Sequence, residues 1–183
     1  MSKIIIALAG PIASGKEAVK KYLEEKYNAS SYKFSTPLRD ILNRLSLPVS
    51  RENIQDLSTC LRERFGNDLL ARVISADAKN DESEIVVIDG ARRLDDIAHL
   101  RALPEFKLIG VDADEKIRYQ RLVKRDENEG DANKTFEQFL IDSNKETEKE
   151  IPKLLHQADV VIDNNGEFEN LYQQVDKLIT DLK

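Results

Sequence analysis

The sequence predicts a single α/β domain in three layers, a five-stranded parallel sheet with helices on both faces. Five short apolar runs alternate with longer amphipathic stretches. The runs are continuous rather than alternating, as strands covered on both faces require. The first run also passes through a glycine-bounded turn directly into a charged helical pattern, which suits right-handed crossovers between parallel strands.

The elements follow in order. Ile4 to Ala9 reads as the first strand, Lys16 to Tyr27 as a helix and Ser31 to Phe34 as the second strand. Pro37 to Leu45, Glu52 to Phe65 and Asp68 to Ala78 have helical patterns; Ile54, Leu57 and Leu61 recur at spacings of three and four, forming one apolar stripe. Ile85 to Ile88 is a strand, Leu94 to Leu103 a helix, Phe106 to Val111 a strand and Lys116 to Lys124 a helix. Asp126 to Lys134 is polar and loop-like. Phe136 to Glu150 reads as one helix with a solvated mixed-charge face over 143–150, Val160 to Ile162 as the last strand, and Phe168 to Leu182 as the last helix. The three helical patterns in 37–79 exceed what one crossover needs, so 37–79 and 126–134 are expected to be inserts on a core of 1–36, 80–125 and 135–183.

The 183 residues fit one domain, and 40% hydrophobic content can bury a sizeable core. Cys60 alone makes no internal disulfide, and one thiol with two histidines builds no Cys/His zinc site. His99, His156 and Cys60 fall in helical patterns as packing or surface positions. A net charge of −6 gives no bulk field for nucleic acid, so an anionic ligand must meet locally gathered positive charge. The run from Ile4 to Gly10 is too short to span a membrane, and no small-residue cleavage pattern follows it. No nucleic-acid or membrane partner is expected, the cytoplasm is the expected compartment, and monomer and homodimer both remain open.

Gly10-Pro11-Ile12-Ala13-Ser14-Gly15-Lys16 fits G-x-x-x-x-G-K, set between a strand and a helix as a phosphate-binding loop must be. Backbone N–H groups and the positive helix end would cradle phosphates, and Lys16 would supply a movable charge. The residue after that lysine is normally Ser or Thr, whose hydroxyl meets Mg²⁺; here Glu17 stands there, followed by Ala18. Glu17 either serves the metal or favours the first turn of the helix for dipole reasons.

Three apolar runs end in aspartate, at Asp89, Asp112 and Asp163. Ligands sit beyond the carboxyl ends of parallel strands, and Asp89, followed by Gly90, is the candidate for organising Mg²⁺. Asp112 and Asp163 read better as turn acids. Arg118, Arg121 and Arg125 share one helix face, suited to charge stabilisation in phosphoryl transfer. Arg39, Arg92 and Arg93 are candidates for a second phosphate.

These segments together resemble the P-loop nucleoside monophosphate kinase superfamily over nearly the whole chain. Asp89-Gly90-Ala91-Arg92-Arg93 is similar to the D-G-x-P-R motif of adenylate kinases, with Arg92 in the proline's place. The resemblance implies a three-layer P-loop NTPase fold with a helical acceptor-binding insert over 37–79 and a lid over 126–134. It implies ATP and Mg²⁺ as cofactors. It also implies that Arg93, or Arg92 after a one-residue slip, binds the acceptor phosphate, that Arg121 and Arg125 are lid arginines, and that Asn165-Gly166 lies against the donor base. Phe34-Ser35-Thr36-Pro37-Leu38-Arg39 resembles phage-type deoxynucleoside monophosphate kinases, and Asp163 to Gly166 resembles dephospho-CoA kinases. Small prokaryotic ATPase-type proteins of the AAA family are similar too.

The function expected is an ATP-dependent transfer of the γ-phosphoryl group to a small nucleotide acceptor, foremost a (deoxy)nucleoside monophosphate, with catalysis resting on Lys16, Asp89, Arg121 and Arg125. The alternatives are a dephospho-CoA kinase-like enzyme acting on a hydroxyl, with Asp40 or Asp89 as base, and a nucleotide-binding ATPase switch without a small acceptor.

Overall fold

The strands β1 (Ile4–Ala9), β2 (Ser30–Lys33), β3 (Ile85–Asp89), β4 (Phe106–Asp112) and β5 (Val160–Asp163) form a parallel sheet in the order β2-β3-β1-β4-β5. The computed structural model describes residues 3–125, 131–144 and 149–183. Register aligns the carboxyl ends: Lys33 stands opposite Asp89, Asp89 opposite Leu8, Ala9 opposite Gly110 and Asp112 opposite Asp163. The side chains that end these strands therefore share one edge of the sheet, where β1 delivers the chain into residues 10–15.

Period-two alternation splits the apolar runs between two cores. Ile4, Ile6 and Leu8 pack with Val87, Ile109 and Ile162 against α1 (Lys16–Tyr27) and α9 (Phe168–Leu182). Ile5, Ala7, Val86, Ile88 and Leu108 face the other way. They meet α2 (Thr36–Arg44) through Leu38, α4 (Leu69–Asn80) through Leu70, Ala71, Ile74 and Ala78, and α8 (Ile151–His156) through Ile151 and Leu154. Of the helices in 37–79, α4 is thus a covering helix of the core. α3 (Arg51–Phe65) has no fully buried residue and lays its Ile54, Leu57 and Leu61 stripe on that core from outside. Asp176 joins α9 to α1 by accepting hydrogen bonds from the Tyr22 hydroxyl at 2.9 Å, the Tyr27 hydroxyl at 2.7 Å and the Lys26 ammonium at 2.8 Å.

Two expected helices are broken. The stretch 94–103 divides into α5 (Leu94–Ile97) and a 3₁₀ turn over Leu100–Ala102. Ile97 and Leu100, three apart, are both buried, which suits the tighter turn, and Leu103 before Pro104 is held in extended conformation. The stretch 136–150 is not one helix: α7 (Phe136–Ser143) ends at Asn144, and a separate helix that the sequence reading does not contain, α8, starts beyond it at Ile151. Pro152 explains the new start, since it lacks an N–H and has its φ preset for a first turn. Ser143 ends α7 while residues 149–150 form a turn, so the mixed charges of 143–150 are not one continuous helix face; 145–148 lie outside the described residues. Five residues of the expected lid, 126–130, also lie outside them. The remainder is fastened: Asp131 is buried in a 3₁₀ turn, and the Lys134 ammonium lies 3.2 Å from Asp131 and 2.8 Å from Asp142 of α7.

Asp81, after α4, closes the β2 edge. It accepts from the Tyr32 hydroxyl at 2.7 Å and from the Ser83 N–H at 2.7 Å, while Lys3 donates to its backbone carbonyl. Burial pushes its carboxyl up, but these hydrogen bonds outweigh burial and hold it at about 2, below the ordinary 3.8. A depressed pKa stabilises the folded state fully above the unfolded value and progressively less as pH falls through the folded one. Asp81→Asn is therefore expected to lose about 1–2 kcal/mol at neutral pH, with the deficit against wild type shrinking between about pH 4 and pH 2. Urea unfolding across that range checks it; a deficit independent of pH would contradict it.

Candidate functional site

Residues 10–15 turn sharply from β1 into α1. Gly10 has φ 157°, Ala13 φ 59° and Gly15 φ 107°, so the loop alternates into the left-handed region. At two positions only glycine fits: a Cβ on Gly10 would strike the Val111 carbonyl of β4, and one on Gly15 would strike the Asn164 side-chain amide. The loop carbonyls are held from several sides. Lys16 donates to Gly10 O at 2.7 Å and Pro11 O at 2.9 Å, and Ser14 N–H donates to Pro11 O at 3.2 Å. Arg118 Nη1 donates to Ile12 O at 3.3 Å, and Asn164 Nδ2 to Ser14 O at 2.7 Å. In a trans peptide the C=O and the next N–H point oppositely. Tying the carbonyls of Pro11, Ile12 and Ser14 therefore fixes the amides of Ile12, Ala13 and Gly15 in the opposite sense, while Pro11 contributes no N–H.

The helix α6 (Glu115–Arg125) supplies the arginine row. Arg118 is buried, with its Nε donating to Ala113 O at 2.9 Å and its guanidinium 5.4 Å from the Phe139 ring centroid. It braces the loop, a role spacing alone does not predict. Arg121 is half-buried, with Nη2 at 3.5 Å from Asn164 Oδ1 and 3.4 Å from Gly166 O. Desolvation lowers its pKa, and its Nη1 is buried without a hydrogen-bond partner among the described residues. Arg125 is exposed at the end of α6. The loop after β5 thus holds three distinct asparagine and glycine roles. Asn164 is only 2% exposed and bridges Ser14 to Arg121; Asn165 Oδ1 accepts from Asp114 N–H at 2.8 Å; Gly166 offers its carbonyl.

Acids and lysines gather on the opposite flank. The Lys20 ammonium, 7% exposed, is 2.7 Å from both Glu17 oxygens. Lys33 Nζ lies 4.0 Å from Glu17 Oε2 and 3.8 Å from Asp89 Oδ2. Burial raises the Glu17 pKa, but Lys20 and Lys33 together outweigh it and hold its carboxyl below the usual value. For Lys20 burial works against the ammonium, and Glu17 with Asp89 raises it above the ordinary value. Asp112 and Asp163 are turn acids, accepting from the N–H of Ala113 and of Asn165 respectively.

The site residues beyond β3 lie on a different rim. Arg92 is exposed and Arg93 half-buried; their backbone N–H groups both donate to the buried Asp96 carboxylate, at 3.0 and 3.1 Å. Asp96 also meets Arg62 of α3 at 3.3 Å, so it binds α3 to this rim. Arg39 is exposed on α2. Asp40 lines a cavity of about 670 Å³ between α2 and α4 together with Asp77 and Asp81, apart from the loop residues 10–16. Among the described residues no group of three or more His, Cys, Asp or Glu gathers as a metal cluster, so a divalent ion would need phosphate or water oxygens beside Glu17 and Asp89. The Lys33 ammonium lies within 4.0 Å of both carboxylates, so these acids already accept positive charge, as hard-cation donors do.

Sequence reasoning missed Lys20, Lys33, Asn164 as a bridge, and Asp96. Lys33 was within reach of the strand-end rule that selects Asp89, but the expected strand ran one residue late and placed Phe34 at its end.

No helix among the described residues is long and apolar enough to cross a membrane. The chain is similar to the UPF0200 protein MJ1399 of Methanocaldococcus jannaschii, 26% identical over 98% of this chain and 90% of that one. It is likewise similar to the UPF0200 protein TK1334 of Thermococcus kodakarensis, 29% identical over 98% of each. Among solved structures, TT1252 from Thermus thermophilus has a TM-score of 0.62 at 18% identity over the whole of both chains. The shikimate kinase from Bacteroides thetaiotaomicron has 0.61 at 17% over 98% of each. The chain shares its fold with these solved structures. The AAA domain profile matches residues 6–153, including the phosphate loop, the acids and lysines beside it and α6, and the chain belongs to that family.

Proposed function

We propose that the protein is an ATP-dependent phosphotransferase that passes the γ-phosphoryl group to a nucleotide acceptor, foremost a (deoxy)nucleoside monophosphate. The observation behind this reading is the pairing of the tied loop at 10–16 with Arg121, whose buried Nη1 has no hydrogen-bond partner among the described residues. An uncompensated guanidinium nitrogen beside an amide cradle calls for an anion. ATP supplies the phosphoryl group when bound, and Mg²⁺ neutralises charge.

The chain's own residues do the positioning. The amides of Ile12, Ala13 and Gly15 and the α1 N-terminus receive phosphate oxygens, and Lys16 leaves its loop carbonyls to follow the terminal phosphates. Arg121 and Arg125 meet charge that develops in transfer. Asn165-Gly166 borders the donor base, and Asp89, with Glu17 beside it, borders the metal. Arg39, Arg92 and Arg93 receive the acceptor's phosphate, which is already a nucleophile and needs no base. The solved neighbours named as shikimate kinases favour a second reading, a hydroxyl acceptor, for which Asp89 is better placed as base than Asp40 because Asp40 lines the groove between α2 and α4. A screen of nucleoside monophosphates and hydroxyl acceptors with ATP and Mg²⁺ decides: monophosphate-stimulated ADP release supports the first reading. Bound ATP with no acceptor stimulation supports a nucleotide switch instead.

Arg121→Ala and Arg125→Ala are each expected to lower kcat at least about tenfold, or about 1.4 kcal/mol, with smaller loss of ATP affinity. Unchanged kcat in both would return them to surface roles.

Glu17 also partners a nearly buried ammonium. Glu17→Gln is expected to cost about 1–2 kcal/mol in urea unfolding, between an exposed and a fully buried pair, and Lys20→Met in the same chain to recover most of it. If Glu17 also serves the metal, the activity of Glu17→Gln needs more Mg²⁺. No destabilisation would contradict the ion-pair role.

A further inference from the structure

Lys33 differs from the other cation beside these carboxylates. Lys20 is 7% exposed and sits at 2.7 Å on both oxygens of Glu17, a fixed partner. Lys33 is 50% exposed, and its contacts with Glu17 and Asp89, 4.0 and 3.8 Å, are longer than hydrogen bonds. Parallel pairing of β2 with β3 sets Lys33 directly opposite Asp89, so the backbone keeps the ammonium within reach of the acid while the flexible stem leaves it free to move. Lys20 already pairs both Glu17 oxygens, so a dication would gather at Asp89, and there it and the Lys33 ammonium, 3.8 Å from Oδ2, would repel strongly.

We propose that Lys33 is an exchangeable counter-ion of the divalent-cation site: its ammonium neutralises Asp89 and Glu17, and it swings out to solvent when Mg²⁺ enters with nucleotide. The inference rests on the reading that Asp89 serves the metal. Lys33 is a positioning residue that sets how tightly metal and nucleotide binding are linked. It makes metal-free carboxylates tolerable beside a polyanion site, and it makes the site weak for Mg²⁺ until phosphate oxygens add their charge.

The test is the ratio of dissociation constants for fluorescent mant-ADP without and with Mg²⁺, measured at equilibrium on the whole protein. Lys33→Met is expected to raise that ratio about fivefold or more, because the competing charge is gone. Lys33→Arg, which keeps the charge, is expected to retain the wild-type ratio, and so is Lys177→Met on the exposed face of α9. Asp89→Asn is expected to bring the ratio close to one. A Lys33→Met ratio equal to wild type, with Asp89→Asn still collapsing it, overturns the counter-ion role and leaves the metal reading standing. A ratio that Asp89→Asn does not change removes the metal reading and this inference together.

Discussion

A planar peptide unit cannot aim its C=O and the following N–H at the same place. In residues 10–15 that constraint becomes architecture. Three elements distant in sequence take hold of the loop carbonyls or crowd its backbone: β4 against Gly10, α6 through Arg118 on Ile12 O, and the loop after β5 through Asn164 on Ser14 O. The amides of Ile12, Ala13 and Gly15 are left with one direction. The parallel register brings those three elements to the same sheet edge, and the two apolar cores hold the sheet that sets the register. Asn164 has the most connected place among them, because one buried side chain ties the loop, touches Arg121 and follows the strand that positions both.

The charge distribution follows from the same geometry. The chain is acidic overall, yet Lys16, Lys20, Lys33, Arg118 and Arg121 surround a few residues of backbone. Gathering cations so closely is costly unless each has a partner. Lys20 has Glu17, Lys33 has Asp89 and Glu17, and Arg118 spends its donors on carbonyls of the loop and of Ala113. Arg121 is the exception, desolvated and with one nitrogen unpartnered among the described residues, and this supports the anion role proposed for it. On the opposite rim Asp96 gathers the backbone of Arg92 and Arg93 with the side chain of Arg62, so α3 and the loop after β3 are set by one buried carboxylate.

Much of this was legible in the sequence. β1, α1 and α9 have the expected bounds because each is closed by strong local signals: an unbroken apolar run, a glycine turn, and an amphipathic repeat with no proline inside it. The loop's glycines were legible because backbone shape demands them at Gly10 and Gly15, and Asp89 was legible only as the end of an apolar run, where β3 indeed stops. Less legible were features whose meaning depends on distant partners. Pro152 stands in the first turn of α8, just past the stretch that reads as one helix ending at Glu150, and a helix of six residues is too short for periodicity to mark. Arg118 looks identical to Arg121 in spacing, and only the packing of Phe139 and the nearness of Ile12 separate a brace from a ligand group. Lys33 and Asn164 are single polar residues at strand ends, and their roles come from the neighbours that sheet order gives them.

The account stands or falls on whether residues 10–16 are the anion cradle. Amide chemical shifts of the isotope-labelled protein, followed during a titration with ADP, test this directly. The account predicts that the largest changes fall on Ile12, Ala13, Gly15 and Lys16, with Asn164 to Gly166 moving in step because they share the Asn164 bridge. ADP that leaves these amides in place, or that shifts the groove between α2 and α4 instead, would contradict it.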